Sequence, residues 1–336
     1  MNCGEVVRPP AGSPPEHYAL VVDDEHTIER VLVPQLRRTI AARETILMVV
    51  GEQTAAVVRA GLGHAADGLL WAPTDRFYQR LGFTYARFLR YLRDQHSGLR
   101  RVHLVTEPDL VQAPGTPVDR AAAYLSYEAM ANRVFAGYGC PITCIWHSGR
   151  LRAPVTDQIR EVHPREWTAA GAAGNPGFVR PDEFLERSAQ RPMTAAPPVT
   201  DIDITVRHVH EIAAGRAAVA RWAAGHHFVP TAVGQIVAAA GEVITNGVRH
   251  GRPPVRIRAW NHDTTLVLHV DDHGGRPIPP EAGYRPPATP AGPTGLWVAR
   301  QLADVLLTGT GGGRTAVRMY FPYAVTHRHL DVPHIT

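Results

Sequence analysis

The chain has 336 residues, of which 44% are hydrophobic and 20% charged, and a formal net charge of +4 at pH 7. This length allows two ordinary domains, and the composition excludes a disordered or fibrous protein. No lysine occurs, which excludes the usual P-loop and Schiff-base chemistries. The arginines are scattered rather than clustered, so we expect no direct nucleic-acid binding.

The first 16 residues are rich in proline and lack an apolar segment. This pattern predicts a flexible tail at 1–16 rather than a signal peptide. No apolar run approaches the roughly 18 residues that a membrane-spanning helix needs. We therefore expect a cytoplasmic protein that does not contact a membrane.

Residues 17–167 alternate short apolar runs with longer amphipathic runs. This alternation predicts an α/β domain with a mostly parallel sheet and helices on both faces. The predicted strands are 18–22, 45–50, 68–71, 102–106 and 142–146. The predicted helices are 28–41, 54–60, 75–95 and 118–135.

Two of the three cysteines, Cys140 and Cys144, lie in an apolar run of this domain. Their even spacing would place both side chains on one face of a strand. We interpret them as buried structural residues. A zinc site would need more ligands nearby, and the pattern does not predict a disulfide framework.

Residues 168–200 are rich in Ala, Gly and Pro and contain the chain breakers Asn175-Pro176-Gly177 and Pro197-Pro198. Such a segment should bury little surface. It predicts an interdomain linker with one short helix near 182–188.

Residues 201–322 predict an α+β domain, followed by a tail at 323–336. The short turn at 261–263 indicates antiparallel strand pairing, with helices layered on one face. The glycine-rich run at 309–315 lacks the lysine of a P-loop. The predicted helices are 206–224, 231–249 and 294–307, and the predicted strands are 255–260, 265–271 and 316–321.

The helix predicted over 231–249 carries Glu242, Asn246 and His250 at i, i+4 and i+8. This spacing makes the three side chains point the same way. The carboxylate could deprotonate an attacking hydroxyl, and the Asn oxygen suits Mg²⁺ beside phosphates. If this helix is considered alone, Glu242, Asn246 and His250 could equally form a polar face that is exposed to solvent.

Three further segments strengthen the nucleotide interpretation. Asp272 directly follows the strand predicted over 265–271 and precedes the turn His273-Gly274-Gly275, where an acid could accept the exocyclic amine of a purine. The Pro/Gly-rich loop at 290–296 leads into a helix, whose first N–H groups could bind phosphate. The run Gly313-Arg314-Thr315 enters the last strand.

The segment GEVITNGVRHG at 241–251 resembles the N box of GHKL ATPases, in the version found in anti-sigma-factor serine kinases. VDDHGG at 270–275 and TGLWVARQLAD at 294–304 resemble the two glycine boxes of that family. The resemblance implies a Bergerat ATP-binding sandwich over 201–322 that binds ATP and Mg²⁺. It implies that Asn246 holds Mg²⁺, that Glu242 is the catalytic base toward a partner's serine, and that Asp272 contacts adenine. The other residues that it places in the pocket are Gly274, Gly295, Leu296 and Thr315.

The chain departs from that family at Arg276 and Pro293, where the two glycine boxes have glycine. A degenerate nucleotide site in a non-catalytic, protein-binding module therefore stays open. A sensor histidine kinase-like protein is another alternative, with His210 as the phosphoacceptor. It is disfavoured because the helix predicted to carry His210 opens the ATP-binding domain itself.

Residues 17–167 resemble the MEDS sensory domain, which is proposed to sense small hydrocarbon derivatives. The matching features are His17, TEPD at 106–109, SYEAMAN at 126–132 and VHP at 162–164. Glu107 follows a predicted strand, on the side where open α/β sheets bind ligands. Glu128 and His163 could join it in a sensory site, or all three could be ordinary polar residues that tie loops to helix ends.

Together these resemblances imply a bacterial transcription regulator of the anti-sigma-factor type that acts in stress responses. A small molecule at the N-terminal domain would control an ATP-binding domain, which phosphorylates a serine of an antagonist protein or sequesters a sigma factor. Anti-sigma relatives commonly pair through the ATP-binding domain, so a homodimer is compatible with the resemblance. We find no nucleophile-and-base spacing that would make the N-terminal domain an enzyme.

Overall fold

A seven-stranded sheet organises the first half of the chain. The computed structural model describes residues 15–24, 26–98, 101–110, 116–287 and 294–326. The strands of this sheet are β1 (His17–Val22), β2 (Thr45–Val50), β3 (Leu70–Pro73), β4 (Val102–Thr106), β5 (Ile142–His147), β6 (Arg165–Thr168) and β7 (Gly171–Gly174). Their order is β3-β2-β4-β5-β1-β6-β7, and all neighbours are parallel except β6 and β7.

Helices cover both faces of this sheet, which confirms the predicted α/β architecture. They are α1 (Val33–Ala41), preceded by a π-helical turn at Ile28–Leu32, α2 (Glu52–Leu62), α3 (Thr74–Phe77), α4 (Leu81–Ser97), α5 (Arg120–Val134) and α6 (Ala153–Val162). Side chains alternate along each strand. On β2, Ile46 and Met48 pack against α1 and α2, whereas Leu47 and Val49 join a core with α4, α5 and α6.

The helix predicted over 75–95 is interrupted. α3 ends at Phe77 and α4 begins at Leu81. The hydroxyl of Thr84 donates to the carbonyl of Phe77 at 2.9 Å, so a side chain of the second helix replaces a backbone bond at the break. Helix α6 has no counterpart among the predicted elements.

Residues 168–200 pack against both domains, contrary to the expectation that their composition buries little surface. The β6–β7 hairpin extends the first sheet, and α7 (Pro181–Ala189) buries Phe184 and Leu185 to 2% and 3% exposure. Farther along, the carbonyl of Thr194 accepts a hydrogen bond from Arg318 at 2.7 Å. Two buried side chains on one short helix are too few to give a periodic signal.

The second half of the chain forms a five-stranded antiparallel sheet with helices on one face, as the predicted α+β class requires. Its strands are β8 (Ile202–Val206), β9 (Val255–His262), β10 (Thr265–Asp272), β11 (Val305–Gly311) and β12 (Arg314–Pro322), in the order β11-β12-β10-β9-β8. The helices are α8 (Ile212–Gly225), α9 (Pro230–Arg249), α10 (Gly295–Leu302) and α11 (Tyr323–Thr326). Among the described residues, no helix has the length and apolar character that crossing a membrane requires.

Strands β8 and β11 overlap the ends of helices predicted from the sequence. The helix predicted from residue 206 begins only at Ile212, because residues 202–206 pair with β9. The helix predicted to reach residue 307 ends at Leu302, because the apolar run that follows pairs with β12. The periodicity of a short apolar run does not distinguish a strand from a helix. Whether such a run forms a strand therefore depends on a neighbouring strand with which it can pair.

The two domains share a hydrophobic core. On β10, Leu266 and Leu268 face helices α8 to α10, whereas Val267 faces the N-terminal domain. Besides Val267, the side chains of the second domain that join the N-terminal core are Trp260, Tyr284, Val305 and Tyr320. The second sheet is therefore covered on both faces.

The contact between α4 and α10 depends on Gly82. A Cβ atom at this position would overlap with the backbone carbonyl of Arg300. We expect Gly82→Ala to lower the free energy of unfolding by about 1–3 kcal/mol, because the two backbones must separate. Urea unfolding measures this change.

Gly234 in α9 provides the matched control, because it is exposed and, among the described residues, no atom beyond its chain neighbours and the backbone of its own helix lies within 4 Å of a Cβ built there. There the same substitution should stabilise the protein by up to about 1 kcal/mol, since alanine favours helix over glycine. Equal unfolding midpoints for the two variants would contradict the close α4–α10 contact.

Candidate functional site

Glu242 and Asn246 lie on one face of α9, next to the first residue of α10. Both side chains are half-buried. A Cβ atom at Gly295 would lie 3.0 Å from Oε2 of Glu242 and 2.9 Å from Nδ2 of Asn246. A larger residue would have to displace these groups, so Gly295 allows the start of α10 to approach both of them.

The carboxylate of Asp272 is oriented by the backbone. It is 7% exposed, and its Oδ1 accepts hydrogen bonds from the backbone N–H groups of Gly274 at 2.6 Å and Arg252 at 3.1 Å. Thr315 lies opposite Asp272 in the β10–β12 register. With Oδ1 held by two donors, Oδ2 is the oxygen that a ligand would meet.

The last turn of α9 connects these two groups of residues. The carbonyl of Asn246 accepts the N–H of His250 at 2.8 Å and of Gly251 at 3.1 Å. A Cβ atom at Gly251 would overlap with Oδ2 of Asp272, so this glycine brings the end of α9 against the acid. His250 is exposed and does not extend the row formed by Glu242 and Asn246.

The chain departs from the family's glycine boxes at Arg276 and Pro293, and of these two residues the structure describes only Arg276. Arg276 has an exposed side chain, and its carbonyl accepts a hydrogen bond from the hydroxyl of Thr315 at 2.8 Å. Pro293 lies outside the described residues, as do 288–292. Next to that gap, Leu296 packs against the core below α10, and its backbone closely approaches Gly283, which has a φ of +79°.

The phosphoacceptor alternative depended on a helix at His210. That residue instead lies in a short 3-10 turn, Val209–Glu211, between β8 and α8. Its imidazole is exposed and stacks on that of His208, with ring centroids 5.4 Å apart. The turn belongs to the second domain itself, so it offers no separate dimerising helix.

A cavity of about 670 Å³ opens at the carboxyl ends of the parallel strands. It lies where β2 and β4 meet and the chain connections diverge, which is where open α/β sheets bind ligands. Glu107 lines it and is 6% exposed. Its carboxylate accepts from the backbone of Gly51 at 3.0 Å and from Nε2 of His147 at 2.9 Å. Burial is the largest influence on Glu107 and raises its pKa, but the contacts with His147, Thr54 and Gly51 together outweigh burial, and the pKa lies below its usual value.

Glu128 and His163 do not line that cavity. They lie in a separate buried cluster with His17 and Cys144. Burial is the largest influence on the Glu128 carboxyl and raises its pKa, but the contacts with His17, His163 and Cys144 together outweigh burial, and the pKa is lowered. Burial lowers the pKa of His163 to about 3 and raises the pKa of the Cys144 thiol well above its usual value.

The sequence did not identify His147 as the partner of Glu107 or Cys144 as a partner of Glu128. His147 ends β5 beside Glu107, and its position at a strand end was the available signal. Cys144 was interpreted only as a core residue, because its partners are distant in the chain. His17 lies 127 residues away and Glu128 lies 16 residues away.

The comparisons with known proteins match each domain separately. Residues 16–164 match the model of MEDS, the methanogen/methylotroph, DcmR sensory domain. Residues 205–321 match the model of the histidine kinase-like ATPase domain. No curated protein matches the chain significantly. The chain therefore carries a MEDS sensory domain followed by a histidine kinase-like ATPase domain.

Proposed function

We propose that this chain is a transcription regulator of the anti-sigma-factor type, in which the MEDS domain controls phosphorylation of a serine on a partner antagonist protein by the ATPase domain. The observation that carries this proposal is the position of Glu242 and Asn246 around Gly295, next to the start of α10. A base, a magnesium ligand and a helix N-terminus would then share one small region. Phosphoryl transfer depends mainly on such positioning and on charge neutralisation.

The residues around Gly295 fit a magnesium nucleotide. A Cβ atom there would lie 2.9 Å from Nδ2 and 3.2 Å from Oδ1 of Asn246. Rotation of the amide therefore presents its oxygen to the same space. Asn246 would hold Mg²⁺, which neutralises phosphate charge when bound. The first N–H groups of α10 have no partner within the helix and can donate to phosphate oxygens.

Glu242 is the group we propose as the catalytic base. Its carboxylate lies beside Asn246 and is half-buried, so it could accept the proton of a serine hydroxyl close to the bound phosphates. A positioned carboxylate of this kind activates the hydroxyl as it attacks.

Asp272 is the residue we propose for adenine recognition, and Asp272→Asn tests it. The Asn carbonyl would still accept from Gly274 and Arg252, but its NH₂ group would face the purine amine, so that two donors meet. We expect the affinity for ATP with Mg²⁺ to fall by about 10–100-fold, the effect of losing a hydrogen bond to a charged group. Isothermal titration calorimetry on the full chain measures it.

The same titration separates the proposal from its rival, a module that sequesters a partner without nucleotide. If the wild-type chain releases no heat with millimolar ATP and Mg²⁺, the rival is supported and the kinase proposal fails. Asp263→Asn is the matched control, because Asp263 lies in the turn after β9 at the far end of β10. Its affinity should equal that of the wild type.

The contacts at the domain interface support a coupling between the MEDS domain and the ATPase domain. Arg120, the first residue of α5, donates to Asp304 beyond α10 at 3.0 Å and to the carbonyl of Asp109 at 2.9 Å. Asp109 lines the 670 Å³ cavity beside Glu107. A small polar molecule that shifts this cavity wall would therefore act on a side chain that also binds the ATPase domain.

A further inference from the structure

We propose that His17, Glu128, Cys144 and His163 form a binding site for a divalent transition-metal ion, with Zn²⁺ as the best match, in the core of the MEDS domain. The four side chains come from β1, α5, β5 and the residue after α6. Each of them is at most 4% exposed. Residues far apart in the sequence thus meet in one buried place.

The distances between the ligand atoms fit one metal ion. Nε2 of His17 lies 3.0 Å from Oε2 of Glu128 and 3.3 Å from Sγ of Cys144. Sγ lies 3.4 Å from Oε2, and Nε2 of His163 lies 3.7 Å from Oε2. All four atoms lie within 4.8 Å of one another. Tetrahedral Zn²⁺ with bonds of about 2.0–2.3 Å separates its ligand atoms by roughly 3.3–3.6 Å.

The outer contacts orient both imidazoles for metal binding. Nδ1 of His17 donates to Oδ1 of Asn132 at 3.0 Å, and Nδ1 of His163 donates to the carbonyl of Ile159 at 2.6 Å. Both acceptors are oxygens without a proton, so the ring proton is on Nδ1 in each case. Each Nε2 is then directed into the cluster. Metal-bound histidines almost always have such a second hydrogen bond.

The orientation of Asn132 is itself well determined. Its two N–H groups face three backbone carbonyls, those of Glu128 and Ala129, each at 3.3 Å, and that of Val162 at 2.7 Å. Its oxygen is therefore the atom that faces His17. The contacts of the Asn132 nitrogen therefore determine that the amide oxygen, and not the nitrogen, faces His17.

Inside the cluster, Nε2 of His163 faces another hydrogen-bond acceptor instead of a donor. Nε2 of His163 is fully buried, and no described residue forms a hydrogen bond with it. It faces Oε2 of Glu128, a second acceptor, at 3.7 Å. Two buried acceptors that face each other are costly, and a cation between them removes the conflict.

The charges and the ligand chemistry favour Zn²⁺. A Glu128 carboxylate and a Cys144 thiolate together carry two negative charges, which one divalent cation neutralises in this buried place. Thiolate and imidazole are the ligands that Zn²⁺ prefers in proteins. Binding would release the thiol proton to solvent.

Metal content and a cobalt spectrum test the site on the full chain. We would produce the protein in minimal medium with Co²⁺, because a buried site exchanges metal slowly after folding, and measure cobalt by mass spectrometry. We expect about one Co²⁺ per chain, with the intense visible absorption of tetrahedral cobalt and a sulfur-to-cobalt band in the near ultraviolet.

A pair of cysteine variants identifies the sulfur ligand. Cys144→Ser should lose the sulfur-to-cobalt band. Cys140→Ser should keep it, because Cys140 is also buried but its Sγ contacts the carbonyl of Tyr138 outside the cluster. The wild-type result does not depend on how the variants fold. Wild-type protein without stoichiometric cobalt, or without the sulfur band, would overturn the proposal, as would a band that persists in Cys144→Ser.

Discussion

Replacing Glu242 by Gln should lower phosphoryl transfer to a serine substrate by about 10²–10⁴-fold, the usual contribution of a general base. The amide has nearly the same shape as the carboxylate and cannot accept the serine proton. Because Asn246 and Asp272 stay in place, we expect the affinity for ATP with Mg²⁺ to change much less. The measurement uses ATP labelled in its γ-phosphoryl group and a candidate antagonist protein recovered by pull-down with this chain.

Glu281→Gln is the matched control for this experiment. Glu281 is an exposed residue of the same domain, in the segment between β10 and α10, so its substitution should leave the transfer rate unchanged. Equal labelling by the wild type and Glu242→Gln would remove the catalytic assignment. A loss of calorimetric ATP binding in Glu242→Gln would instead assign this residue to nucleotide binding.

Replacing Asp304 by Ala should destabilise the protein by about 3–5 kcal/mol, the cost of removing one partner from a buried ion pair. Asp304 is 2% exposed, and both of its carboxylate oxygens lie 3.0 Å from Nε of Arg120. Burial raises the pKa of the Asp304 carboxyl, and Arg120 counteracts that rise. The substitution leaves a guanidinium buried at the domain interface without this carboxylate. Urea unfolding, followed by the fluorescence of the six tryptophans, measures the loss.

Asp203→Ala is the control for this prediction, because Asp203 pairs with Arg256 at the surface of the same domain, where the two side chains are 44% and 41% exposed. Exposed pairs contribute roughly 0–1 kcal/mol, so this variant should unfold almost like the wild type. Similar losses in the two variants would contradict a special role for the interface pair. If Asp304→Ala also weakened the effect of a cavity ligand on ATP binding, the coupling route through Arg120 would be supported.

The position of the interface would allow a change there to reach the proposed nucleotide site. The first residue of α10 adjoins Glu242 and Asn246, while Arg300 in the same helix contacts Gly82 of the MEDS domain. A helix of eight residues cannot absorb much displacement between these two contacts. A shift of α4 would therefore move Gly295 relative to Asn246.

The sequence by itself determined the architecture and the local part of the candidate nucleotide site. The alternation of short and longer apolar runs predicted the parallel sheet, and the short turn at 261–263 predicted antiparallel pairing. The period of 3.6 residues, which reports the buried side of a helix, predicted the long helix α9. The i, i+4 spacing placed Glu242 and Asn246 together because one helix carries both. The short strands β8 and β11 escaped prediction because a run of five to seven residues fits either period.

Only the tertiary structure decided which distant residues meet. Arg120 contacts Asp304 across 184 positions of the chain, and nothing in the local pattern of either residue indicates this partner. Nothing in the local sequence distinguishes the environment of Glu107 from that of Glu128. Glu107 lines a cavity at the sheet edge, whereas Glu128 lies among His17, Cys144 and His163 in the core. The physical reason is that periodicity reports the face on which a side chain lies, whereas its partner depends on the order and register of the strands.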